Sequence, residues 1–89
     1  MQTVGQVIPM VSFCGADGSV RPIRFQLEDE LHALHTYRVE EIVDSREVRY
    51  VGTEAVRFLC RVCEEQRAHL MELSYQVRAH RWTLLRVVY

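Results

Sequence analysis

The sequence predicts a mainly β fold: a small antiparallel barrel or strongly bent sheet of five to six strands, built from residues 1–89 as a single domain. Three observations lead there. Apolar residues recur with a period of two in several short stretches, which is the spacing of a half-buried strand. Turn-forming residues separate those stretches at short intervals. The one segment with a helical stripe, near residues 54–73, reads at least as well as a strand.

The elements follow in order. A first apolar stretch, Val7 to Cys14, ends at Gly15-Ala16-Asp17-Gly18, where two glycines are free to take positive φ and an Asp can cap locally. From Val20 onward, Ile23, Phe25 and Leu27 alternate with Arg24, Gln26 and Glu28, and Pro22 sits near the start, where a missing N–H does least harm. Glu28-Asp29-Glu30 reads as the next turn. In the stretch from Leu31 to Val43 the apolar phase slips once, which predicts a bulge or bend. Asp44-Ser45 breaks that stretch, and Val48, Tyr50 and Gly52 close it.

Residues 54–66 carry two patterns. As a strand, Val56, Phe58, Cys60 and Val62 face one way, with Arg57 and Arg61 opposite. As a helix with Thr53 as its N-cap, Val56, Leu59, Cys60, Cys63, Leu70 and Leu73 form one stripe. Gln66 and Arg67 interrupt that stripe but suit a hairpin turn, so the strand is preferred. The alternative is an α+β sandwich with one helix near 54–73. The last two strands form a hairpin about Arg78-Ala79-His80. An even-numbered loop sets odd positions of the first strand beside even positions of the second, so Tyr75 and Trp82 share a face with Leu73 and Leu84. The expected core is Phe25, Val39, Phe58, Leu73, Tyr75, Trp82 and Leu84. In strand number and turn spacing the pattern is similar to SH3-like and Sm-like small barrels, a likeness of fold class alone.

Composition narrows the function classes. The hydrophobic fraction of 48% and charged fraction of 26% are those of an ordinary globular chain, so disorder is not expected. No apolar run reaches the ~18–20 residues that span a bilayer, and Met1 to Phe13 holds no Lys or Arg, so neither a membrane span nor a secretory leader is expected. Three cysteines cannot all pair, which points to a reducing compartment, most simply the cytoplasm. The net charge of −1 argues against a strongly basic nucleic-acid protein. All eleven basic residues are Arg, three of them in residues 1–44 and eight in residues 45–89, so the second half is the basic one.

Each candidate chemical motif has a plainer reading. Cys60-Arg61-Val62-Cys63 has zinc or redox spacing, but no second ligand pair exists, and in a strand the two thiols point to opposite faces. His32-Ala33-Leu34-His35 diverges in the same way, and both imidazoles are expected to be solvated beside the acidic turn. Glu40-Glu41 and Glu64-Glu65 read as solvated faces. There is no nucleophile elbow and no glycine-rich phosphate loop. A chain this short leaves little room for a ligand pocket of ~300 Å³ or more. No catalytic residue, metal or cofactor is expected.

The sequence therefore predicts a non-catalytic protein-interaction module. The final hairpin is apolar on both faces, which suggests a homodimer contact through Leu70, Leu85, Val87 and Tyr89, the more so if the terminal strand is a sheet edge. The alternative is a small barrel that binds single-stranded nucleic acid with Arg78, His80, Arg81 and Trp82.

Overall fold

Pro9 decides the architecture. It separates two strands, β1 (Gln2–Ile8) and β2 (Met10–Cys14), which lie at opposite ends of one seven-stranded sheet. The remaining strands are β3 (Val20–Glu28), β4 (Leu34–Tyr50), β5 (Thr53–Glu64), β6 (Arg67–Gln76) and β7 (Arg81–Val87), in the order β1-β7-β6-β5-β4-β3-β2 with every neighbour antiparallel. One residue joins the two edges, so the sheet must curl strongly, into a half-barrel that meets itself at the Pro9 corner. The structure, a computed structural model, describes residues 2–89, and the side chains of these except residues 2–4 and 50.

The expected β class and bent sheet are present, with seven strands instead of five or six. The extra strand comes from the first apolar stretch, which is two strands with different partners: Ile8 pairs with Trp82, whereas Met10 pairs with Phe25. A proline has no N–H to give to either ladder, so it suits the point where the partner changes.

β4 also departs from expectation. Asp44-Ser45 does not break it; the strand runs seventeen residues, and the bend expected from its single phase slip is made by two register shifts, between Val39 and Glu41 and between Ile42 and Asp44. Each shift resets the side-chain phase and bends the strand. Tyr37, Val39 and Ile42 therefore all pack on the core, and further along Ser45 and Glu47 take the inward positions opposite Phe58 and Val56.

Residues 53–64 form a strand, and the helical alternative is not adopted. The β5–β6 register is unbroken from Ala55↔Gln76 to Glu64↔Arg67. Its connection is the pair Glu65-Gln66 at φ 46° and 71°, the two positive angles of a tight hairpin turn whose twist matches its strands. The β6–β7 hairpin puts Tyr75, Trp82, Leu73 and Leu84 on one face as expected, and its register sets Tyr75 opposite Trp82 and Leu73 opposite Leu84.

The core is Ile8, Phe25, Phe58, Cys60, Val62, Met71, Leu73, Trp82 and Leu84, drawn from β1, β3, β5, β6 and β7. Val39 and Tyr75, also expected there, are half-buried and pack against it. Trp82 is the hub at one end, with ring centroids 5.5 Å from Phe58 and 5.0 Å from Tyr75. Each fully buried side chain of this size contributes about 1.5–3 kcal/mol relative to exposure.

Candidate functional site

The free edge of β2 is the most unusual surface of the fold. Among the described residues β2 pairs with β3 alone, so its other side presents unpaired backbone groups. Sheet edges normally carry a charge, a proline or a bulge that discourages pairing with another chain. β2 reads Met-Val-Ser-Phe-Cys and has none of these; the extra residue at its register shift, Ile23, belongs to β3. The other edge, β1, is interrupted by a register shift between Thr3 and Gln6, with Gly5 at φ 62°. β2 also exposes two large apolar side chains on one face, Val11 at 47% and Phe13 at 52%.

Beside that edge lies a half-open trough of about 700 Å³. Ser12 and Cys14 of β2 line it, and so do Val56, Phe58, Tyr75 and Val77 on the far wall. It is the open end of the half-barrel, where β4 supplies Ser45 and Glu47 in place of apolar residues. Its size corrects the expectation that so short a chain leaves little room for a pocket of ~300 Å³ or more. A curled sheet with an unsealed seam encloses space that residue count alone does not reveal. At its rim the Tyr75 hydroxyl and His80 Nδ1 lie 3.0 Å apart in a hydrogen bond.

The residues expected to form a dimer face are divided by a bulge. Between Leu84 and Arg86, β7 gains one residue, Leu85, relative to β6. Val87 is thereby turned inward opposite Met71 and packs on the core. Leu70 and Leu85 remain half-buried and off the core, while Tyr89 is exposed and its carbonyl accepts a hydrogen bond from Leu70 N–H at 3.1 Å. β7 is also not a sheet edge, because β1 covers its outer side.

Arg78, His80 and Arg81 are exposed around the β6–β7 turn, but Trp82 is only 5% exposed within the core and offers no face for base stacking. Arginine is more concentrated elsewhere. Arg24 lies directly across from Arg38, and Arg46 directly across from Arg57. Like charges in directly opposed positions destabilise a sheet. Arg21 stands 5.1 Å over the exposed ring of Phe13.

Cys60 is fully buried and desolvation pushes its thiol up to about 12, so it is inert as a thiolate. Cys63 lies on the opposite side of the strand, and Cys14 is exposed. Among the described residues no group of three or more His, Cys, Asp and Glu side chains is placed to hold a metal ion. Of the two histidines expected to be solvated, only His35 departs from expectation. His32 is exposed and paired with Glu28, whereas His35 is clamped between Asp29 Oδ2, at 2.7 Å from its Nε2, and Glu64, which contacts its Nδ1. The turn after β3 is thus tied to the end of β5, a long-range contact that no local pattern reveals. Donation from the His35 ring to Asp29, and secondarily to Glu64, raises the His35 pKa above its ordinary 6.5. Among the described residues no helix is long and apolar enough to cross a membrane. No family model, curated protein or solved structure matches the chain.

Proposed function

We propose that this protein is a non-catalytic protein-interaction module that binds its partner by strand addition at the free edge of β2. The observation that carries this reading is the edge itself: five residues without charge, proline or internal bulge, next to a trough that side chains of an added strand would enter. Main-chain hydrogen bonds along such an edge supply affinity, and alternate side chains supply selectivity. The outer face around Leu70 and Leu85 is a secondary contact surface in this reading. The cytoplasm is the proposed location, supported by three free cysteines of which one is exposed.

The test is affinity capture from the source cell with nuclease present, using the natural chain and a Val11→Lys, Phe13→Lys variant side by side. Proteins retained by the first and lost by the second support the edge. Equal retention by both places the contact elsewhere.

A second reading, single-stranded nucleic-acid binding, is favoured by one observation. The outer surface of β2, β3 and β4 gathers Phe13, Arg21, Arg24 and Arg38, an aromatic ring among cations. This surface replaces the Arg78–Trp82 segment as the candidate. Binding of a single-stranded oligonucleotide that weakens steeply with salt, and is lost in Arg24→Glu, Arg38→Glu, would establish it over the first reading.

A further inference from the structure

We infer that the strand added to β2 is the β2 of a second copy of this chain, paired antiparallel about a two-fold axis through Ser12. The inference rests on the reading of β2 as the binding edge and adds the occupant and the register. The argument is the self-complementarity of the strand. Reversing Met10–Cys14 about Ser12 sets Val11 against Phe13 of the mate and Met10 against Cys14 of the mate.

Val11 and Phe13 share one face of the strand and are the exposed pair, so the two-fold covers both apolar side chains of each copy with both of the other. Aromatic against β-branched is among the favourable cross-strand pairings. On the other face, Ser12 and Cys14 line the trough. The mate's inward side chains would project from that same face and extend the trough's wall. A register slipped by one residue would turn the mate's Val11 and Phe13 to the wrong face.

Charge permits the contact. β2 has no ionisable side chain other than Cys14, and the nearest arginines, Arg21 and Arg24, belong to β3. Across the joined sheet, Arg24 of one copy and Arg21 of the other lie three strand spacings apart. At about 4.8 Å each that sets their backbones roughly 14 Å apart, and the Arg21 guanidinium is held over the Phe13 ring of its own copy. An isologous contact of this kind also closes on itself, so it yields a dimer and not a filament.

The experiment uses the full chain in a Cys14→Ser background. Residues opposed on a two-fold axis in antiparallel strands have Cα atoms about 4.5–5.5 Å apart, within the range a disulfide spans. Ser12→Cys is therefore expected to form a covalent dimer under mild oxidation. Val11→Cys and Phe13→Cys should each fail to link alone and should link when mixed. Light scattering behind a sizing column should give twice the 10.5 kDa chain mass for the natural protein, falling to one chain for Phe13→Lys.

A single-chain mass at tens of micromolar, or Ser12→Cys linking no faster than the Cys14→Ser background, overturns the inference. The broader reading fails separately, when the Val11→Lys, Phe13→Lys variant captures the same proteins as the natural chain. Circular dichroism of each variant guards against misfolding, and the exposed positions of Val11, Ser12 and Phe13 keep the core out of the test.

Discussion

Leu73 has no exposed surface and sits opposite both Phe58 and Leu84 in the register of the three central strands. Truncating it or Phe58 to Ala leaves a cavity that the surrounding ladders cannot collapse. Each change is expected to cost about 2–5 kcal/mol of stability, read from chemical denaturation. Undiminished unfolding midpoints for both would contradict the core described above. His35 acts at the same scale through charge. Its raised pKa means the folded state holds the proton more tightly than the unfolded chain, where the value is near 6.5. The stabilisation is fully present below that pH and is lost as pH rises through the folded value. Asp29 is lowered, chiefly by the same His35 hydrogen bond, so its contribution is present above its ordinary 3.8 and is lost as pH falls. Thermal melts of the natural chain should therefore weaken as pH climbs from about 6.5 by more than those of His35→Gln. Parallel pH profiles for the two proteins would show that the clamp adds nothing.

At the scale of elements, the turns were legible because their residues act locally. Asp17 accepts hydrogen bonds from Ser19 N–H at 3.0 Å and from its hydroxyl at 2.7 Å, as the Gly-Ala-Asp-Gly signal implies. Gly52 takes φ 75° in the β4–β5 turn, and a Cβ there would meet no atom within 4 Å. Gly52→Ala should consequently cost only the backbone penalty of a left-handed conformation, about 1–2 kcal/mol. A neutral effect would mean that the turn relaxes. Bulges were legible only in part: the phase slip between Leu31 and Val43 announced the bend of β4, but not its second shift or the one in β7. The shift at Leu85 moves Val87 from the expected outer face to the core, and those near Glu40 and Val43 carry β4 through a polar pair that reads as a break. The number and exact place of such shifts are chosen by the partner strand and by curvature, which a strand's own sequence signals only where its apolar phase slips. The same reasoning moves the expected interface. Leu85→Glu, on the divided face of β7, should leave association intact, whereas Phe13→Lys should abolish it; light scattering on the two variants checks this, and the reverse pattern would restore the β7 face.

At the scale of the whole molecule, the strand order was the missing information. Alternation identified strands and most of their inward faces, and the shared face of Tyr75, Trp82, Leu73 and Leu84 followed from loop parity. Nothing local states that β1 returns to cover β7, or that β2 is left at the far edge. That topology turns the conspicuous final hairpin into an interior pair and the unremarkable Met-Val-Ser-Phe-Cys segment into an open edge. It also buries the aromatic that the nucleic-acid reading relied on, leaving that reading the arginines of β3 and β4 beside the exposed ring of Phe13. The account rests on β2 as the contact strand. The most direct measurement is amide hydrogen exchange of β2 at two protein concentrations, with β5 as the internal reference. The β2 amides that β3 leaves free are predicted to be protected at high concentration and to exchange rapidly on dilution, while β5 stays unchanged. Equal β2 exchange at both concentrations would contradict the account.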